Sequence, residues 1–340
     1  MIWVPLLLAD PSPCLRRLVL QELLQHQDDD PEVVELTELR QTDSLVADLL
    51  MTQRTDGSWP GAHGYPLRAT ALALARLGYC GFGPAYPPVA RGAAYLFGQQ
   101  QADGAWPLPQ ARGEQEETDG YDMIPLQVAI PLRGLAACGY ATDPRAERAY
   151  EWLLAQRLDD GAWPTGVASG NYGYVAGYRR LAHSRWGCRS NTTGALSCLA
   201  LHPTRRNGSE ARRALDLLLG RETREAHTLG FDIGRLLGAE QARGFMTFYA
   251  RFDLAQIVDL CWRVGATPED ARVAEMVEFL QKLQGDYGLW QHEAHPHLSR
   301  WLTFDLLRSL VRLDQQGASA WVSMEPRTPF QMYVRQPRRY

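Results

Sequence analysis

The chain has 340 residues and a mass of 38.2 kDa, room for one large domain or two small ones at about 100–200 residues each. Hydrophobic residues make up 45% and charged residues 22%, with a mean hydropathy of -0.30. That is the balance of a soluble globular protein, and no run nears the ~18 apolar residues of a membrane span. The net charge of -4 and pI of about 6.1 carry no basic excess of the kind nucleic acid demands.

The chain starts with an apolar stretch, Ile2 to Ala9. It lacks a basic leader and is short for a signal peptide, so a cytoplasmic protein is expected. Cys14–Leu24 reads as the apolar helix of an N-terminal pair, and Asp28–Asp30 before Pro31 as a solvated acidic loop. Next comes Gln53-Arg-Thr-Asp-Gly-Ser-Trp59, which opens a series. Gln100-Gln-Ala-Asp-Gly-Ala-Trp106, Gln156-Arg-Leu-Asp-Asp-Gly-Ala-Trp163 and Gln284-Gly-Asp-Tyr-Gly-Leu-Trp290 repeat it, and Leu217–Thr223 reads as a degenerate copy. The four tryptophans lie 47, 57 and 127 residues apart, the signature of a repeat architecture.

Helical periodicity precedes the signatures. Ala146, Tyr150, Leu153 and Leu154 recur at i, i+4, i+7 and i+8, and Val273, Met276, Val277 and Leu280 at i, i+3, i+4 and i+7. Asp143-Pro144 and Thr267-Pro-Glu-Asp270 supply a cap and a first-turn proline. After each signature an apolar helix is expected, over Ala69–Leu77, Pro131–Cys138, Thr193–Leu201, Phe252–Val264 and Trp301–Leu313. A pair of one charged and one apolar helix cannot bury its own face, and stacking the pairs gives a shared core. The expected fold is all-α, an α/α toroid (barrel) of about five to six helical hairpins with inner and outer helix rings. Residues 1–316 form the domain and residues 317–340 an extended strap.

The signature Gln-x(2–5)-Gly-x-Trp, with Arg91-Gly-Ala-Ala-Tyr-Leu-Phe97 near the second copy, resembles the QW repeat of squalene and hopene cyclases. The same toroid occurs in protein prenyltransferase β subunits. The resemblance implies that Gln53, Gln100, Gln156 and Gln284 bond backbone at a neighbouring helix end. It implies that Trp59, Trp106, Trp163 and Trp290 pack across the repeat boundary. It also implies a central cavity for an isoprenoid-like ligand, lined near the starts of the inner helices.

Class II cyclases protonate an alkene with a carboxyl kept neutral by burial and neighbouring acids. Their Asp-x-Asp-Asp motif is absent from the inner-helix starts here. Asp119 and Asp122, in Glu117-Thr-Asp119-Gly-Tyr-Asp122, are the nearest acids, with a helix-capping role as the alternative. Asp253 and Asp305, in the repeated tripeptides Phe252-Asp-Leu254 and Phe304-Asp-Leu306, are embedded in apolar helices. Such acids face a cavity or pair with an arginine such as Arg251 or Arg300. The expected catalytic residues are thus Asp119, Asp122 and Asp253. Tyr65, Tyr121, Trp186, Asn191, Tyr249, Arg251, Trp301 and Asp305 are expected to contact ligand, the aromatic rings by cation–π attraction.

A prenyltransferase zinc site is not expected. Asp259-Leu-Cys261 lies late in its helix, Cys188 lacks an acid two residues before it, and no histidine opens the last apolar helix. His292, His295 and His297 cluster in a loop and are read as polar surface, so no metal is expected. The six cysteines, with no C-x-x-C pair, are read as reduced thiols. Lys282 is the single lysine, which speaks against pyridoxal chemistry; no cofactor is expected. Two readings of the activity stand side by side. One is an isoprenoid cyclase, and the other is a non-catalytic toroid that binds a hydrophobic ligand or a partner protein. A peripheral membrane contact stays open.

Overall fold

The computed structural model describes residues 3–61, 66–106, 124–166, 172–220, 227–241, 247–285 and 287–315. The described chain is helical but for one two-stranded pairing, β1 (His227–Thr228) with β2 (Phe252–Asp253), so the all-α expectation holds. Contacts divide it into two compact units.

One unit spans Thr52–Leu218 with Ala242–Ala250. Its apolar helices are α5 (Pro66–Tyr79), α7 (Pro125–Leu135) and α9 (Arg189–Leu199). They pack in that order, α5 on α7 and α7 on α9. Their approach is close: a Cβ on Gly134 would stand 2.4 Å from the Ala71 carbonyl oxygen, and one on Gly194 2.4 Å from Leu126. The amphipathic helices α6 (Pro87–Gly98) and α8 (Pro144–Ala155) pack on α5 and α7. Asp143 caps α8 by accepting the Arg145 N–H, with Pro144 in the first turn, as the sequence indicates.

The other unit spans Met1–Met51, Leu219–Gln241 and Arg251–Tyr340. In it α2 (Pro13–Leu18), continued by a wider turn over Val19–Leu23, packs against α3 (Pro31–Leu39). α12 (Leu254–Val264) packs against α13 (Ala271–Lys282) and α14 (Ser299–Gln315), and α14 against residues 19–23. The short α11 (Phe231–Leu236) lies on α12.

The repeated signature is a repeated structure. In all four copies a backbone N–H returns to a carbonyl four residues on: Arg54 to Ser58, Gln101 to Ala105, Leu158 to Ala162 and Gly285 to Leu289, at 2.8–2.9 Å. Asp56, Asp103 and Asp160 close the first three turns by accepting the N–H two residues later. Gln53 and Gln100 each donate twice. One bond goes to the turn's own glycine carbonyl, the other to a carbonyl in the first turn of the next charged helix, Pro88 at 2.8 Å or Arg145 at 3.0 Å. The indoles of Trp106, Trp163 and Trp290 point backward and donate to the carbonyls of Leu96, Leu153 and Leu280. Those carbonyls lie at helix ends, where each also accepts the N–H three residues on.

Three boundaries differ from the sequence reading. The apolar helix expected over Pro131–Cys138 starts at Pro125, in the first turn that suits proline, and Pro131 is carried inside α7. The polar run Arg189-Ser-Asn-Thr-Thr193 opens α9 and is wholly buried, although its composition reads as loop. The cap of α13 is Asp270, which accepts the Arg272 N–H, and not Thr267. Asp30 is likewise a cap, accepting the Glu32 N–H at the head of α3, where a solvated loop was expected. The strap of residues 317–340 and the end of the degenerate signature, residues 221–223, lie outside the described residues. The six cysteines are all unpaired and buried.

Candidate active-site residues

In the unit that contains α12, Asp253 ends β2 and stands just before the helix, with no capping bond from its side chain. It is 2% exposed. Its Oδ1 accepts the Gly230 N–H at 2.8 Å and its Oδ2 the Asp232 N–H at 2.5 Å. The parallel pairing of Thr228 with Asp253 brings that upstream segment into reach. Burial pushes the carboxyl up to about 7, and the Asp232 charge adds to the rise; the two N–H bonds and Arg235 pull the other way. The Gly230 peptide is held at its other end by the His292 ring, whose Nε2 lies 2.9 Å from the carbonyl. His292 Nδ1 accepts the His295 N–H at 3.2 Å, so Nε2 carries the proton. Burial lowers the pKa of His292. His295 reaches Glu240 at 3.1 Å. Among the described residues no three His, Cys, Asp or Glu side chains are arranged to hold a metal ion.

This environment sets a pH dependence of stability. A carboxyl raised in the folded state binds its proton more tightly there than in the unfolded chain. Its contribution is complete below about 3.8 and is lost as pH rises through about 7. Relative to Asp253→Asn, the native protein is expected to lose about 2–3 kcal/mol between pH 5 and pH 8. Urea midpoints of both proteins at the two pH values check this; parallel profiles would rule out the raised carboxyl.

Asp305 bonds neither of the arginines expected for it. Arg308, one turn along α14, lies 2.7 Å away, because i and i+3 share a helix face. Arg300 goes to Asp10 at 3.3 Å, and Arg251 stacks 4.3 Å over the Phe231 ring. Trp301 is buried on the same helix as Asp305. Asp259 is engaged by Arg263 at 2.7 Å and Arg308 at 3.4 Å. Burial raises its pKa, but the two guanidiniums lower it further. Burial pushes the neighbouring Cys261 thiol up, and the Asp270 charge adds to the rise.

In the unit that contains α7 and α9, Tyr249 is buried and its hydroxyl accepts from Arg133 at 2.5 Å, with the guanidinium 5.7 Å from its ring. Trp186 is exposed, with Tyr172 at 5.7 Å and the Arg185 guanidinium at 4.9 Å. Asn191, fully buried near the start of α9, accepts the Leu126 N–H at 2.9 Å and so ties α9 to the start of α7. The Arg189 side chain donates to the carbonyls of Tyr178, Ala250 and Arg180 at 3.1–3.3 Å. Burial brings it down to about 10, against a rise from the Cys188 charge. Among the buried side-chain donors here without a partner are Asn191 Nδ2, Gln127 Nε2, Arg179 Nε and Thr165 Oγ1. An unmade buried hydrogen bond costs about 1–3 kcal/mol.

Tyr65, Asp119, Tyr121 and Asp122 lie outside the described residues. Of the expected residues, the structure puts Asp253 at the head of α12 and Trp301 and Asp305 on α14, the helix packed against it. Asn191 and Tyr249 fall in the other unit, where Arg189 links the start of α9 to the Ala250 carbonyl. Sequence reasoning missed Arg179, Arg189 and Gln127. Only Gln127 left a trace, as a lone polar residue in the apolar run Ile124–Leu132.

Residues 23–178 match the family model of the squalene-hopene cyclase C-terminal domain. No curated protein matches the chain. Solved structures that match include the apo type II terpene cyclase MstE from Scytonema, at 13% identity over 80% of this chain and 97% of that one, TM-score 0.30. A variant of the same enzyme in complex with geranylgeranyl dihydroxybenzoate as substrate matches at 14% identity, over 80% and 96%, TM-score 0.31. A protein from Actinoplanes matches at 15% identity, over 79% and 97%, TM-score 0.30.

Proposed function

We propose that the chain, whose residues 23–178 match the squalene-hopene cyclase C-terminal domain model, binds an isoprenoid-like small molecule and cyclises it by protonation. The observation that carries this reading is Asp253, a buried carboxyl at the head of an apolar helix whose pKa stands at about 7. An acid that protonates an alkene must hold its proton near neutral pH and release it to carbon. Each Asp253 oxygen accepts one backbone N–H and keeps a second lone pair, where the proton sits. On transfer, the alkene becomes a carbocation and Asp253 a carboxylate. The Gly230 and Asp232 N–H groups are already aimed at that charge and need no reorganisation. A second double bond then closes the ring, and loss of a proton ends the sequence. Within the unit that holds Asp253, Trp301 is the proposed cation-facing aromatic and Arg251 and Asp305 the proposed polar contacts.

A binding-only role draws on the same bonds, since an aspartate held by two backbone amides also serves as a structural clamp. Turnover of geranylgeraniol, followed by mass spectrometry of the extract, separates the two. The cyclase reading expects a cyclic isomer, a rate that falls as pH rises through about 7, and an Asp253→Asn variant that binds without converting. A native protein that binds the alcohol and returns it unchanged would leave the binding role.

A further inference from the structure

Two glycines face His292 from α11, Gly230 just before the helix and Gly234 within it. The His292 ring fills the space they leave. A Cβ on Gly230 would stand 3.0 Å from His292 Cδ2, and one on Gly234 3.3 Å from its Nε2. Gly230 also has φ +84, a conformation that suits glycine. The missing side chains let an imidazole reach the backbone itself.

That reach ends in one bond. Nε2 donates to the Gly230 carbonyl at 2.9 Å, which also accepts the Gly234 N–H at 3.0 Å. The ring is held from behind as well. Its Nδ1 accepts the His295 N–H at 3.2 Å, and the His292 N–H goes to Ser299 Oγ at 3.0 Å, at the start of α14. His292 is 4% exposed. On its other side Glu240 lies 3.1 Å from His295 Nε2, and its Cγ is 2.9 Å from the point a Gly234 Cβ would take.

Gly230 gives its own N–H to Asp253. One residue thus carries the imidazole at its carbonyl and the carboxyl at its amide. Between them stand only the two soft dihedrals of Gly230, and glycine restrains these least of all residues. The imidazole supplies the restraint that a side chain would have given.

We propose that His292 is a positioning residue for Asp253: by holding the Gly230 carbonyl it keeps the Gly230 amide aimed at the carboxyl, and so sets how tightly that acid holds its proton. The catalytic meaning rests on the reading of Asp253 as the reacting acid, while the coupling itself rests on the geometry. The charged and titratable groups around the pair are Asp232 and Arg235 from α11, Glu240 beyond it and His295 from the loop before α14. An amide bond to the carboxylate pulls the acid down. Loosening that bond lets the acid rise further, whereas opening the pocket to water would let it fall towards its ordinary range.

The test is the pH dependence of urea midpoints for full-length His292→Phe and His292→Gln, each read against the same variant carrying Asp253→Asn. Phenylalanine keeps a ring over the glycines and has no donor. Glutamine restores a donor near the place of Nε2. His292→Phe is expected to raise the pH at which the Asp253 contribution is lost by about one unit, the worth of one hydrogen bond to a charged group. His292→Gln is expected to reverse most of that shift. With geranylgeraniol as substrate, the falling limb of the kcat profile is expected to move by the same amount with KM unchanged. No shift, a downward shift, or a glutamine variant that follows the phenylalanine one would overturn the positioning role. Shifted midpoints without any turnover would leave that role standing and remove the cyclase reading. Imidazole nitrogen chemical shifts of the native protein give a check that needs no variant. The neutral His292 ring is expected to carry its proton on Nε2, and a proton on Nδ1 overturns the proposal.

Discussion

Trp163→Ala is expected to lower stability by about 3–5 kcal/mol, the cost of emptying a large buried aromatic site. The indole is fully buried, and its N–H donates to the Leu153 carbonyl at 2.6 Å. Removing it leaves a cavity between two repeats and takes away one of that carbonyl's two donors, the other being the Gln156 N–H at 3.2 Å. The backbone of Trp163 is itself a junction. Its N–H goes to Thr192 Oγ1 at 3.0 Å, and its carbonyl accepts the Cys188 N–H at 2.8 Å. Collapse around the cavity is therefore restrained, which favours the upper part of the range. Trp163→Phe keeps most of the volume and forfeits the indole bond, and should cost less by about 2 kcal/mol. Denaturation followed by far-UV circular dichroism gives both values. A loss below about 1 kcal/mol for the alanine variant would show that the tryptophan does not hold the repeats together.

Gly104→Ala is the second large effect. Gly104 sits in the second signature turn with φ +96, a conformation in which an L side chain crowds its own carbonyl. Space is closed as well. A Cβ there would stand 2.5 Å from the carbonyl carbon and oxygen of Arg148 and 2.8 Å from the Ala149 nitrogen. All three are backbone atoms of α8, and a helix cannot step aside as the tip of a side chain can. Conformational strain and overpacking together set the expected loss at about 3 kcal/mol. Gly98→Ala is the matched control, since its Cβ would meet nothing within 4 Å. It should change stability by no more than about 1 kcal/mol, in the stabilising direction. Equal midpoints for the two variants would remove the case for a steric lock.

The sequence carried the repeat because the repeat is local. A glutamine, a glycine and a tryptophan within eight residues make their turn through bonds four residues apart, and that spacing is visible in any linear reading. Helix starts marked by an aspartate before a proline were equally legible, as at Asp143. The start of α9 was not, because its polar residues read as loop and only the tertiary fold buries them. Asp253 stood out as an acid in an apolar run, yet the amides that hold it lie 21 and 23 residues upstream. The strand pairing that delivers them is two residues long, too short to leave a periodic trace. The unpartnered donors of Arg179 and Gln127 arise from the fold alone, and an unmade bond has no signature in a string of letters.

The double reach of the signature turn has a consequence for how such a chain can change. Its tryptophan fastens the helix behind and its glutamine the helix ahead, as Trp106 does with Leu96 and Gln100 with Arg145. Neither anchor depends on how much chain runs from the tryptophan to the next apolar helix. Insertions and deletions in that interval are therefore tolerated by the scaffold, while the same change inside the turn breaks both fastenings. The uneven rhythm of the tryptophans, 47 residues and then 57, is what a lineage would leave if it lengthened its connectors freely and kept its rivets in place.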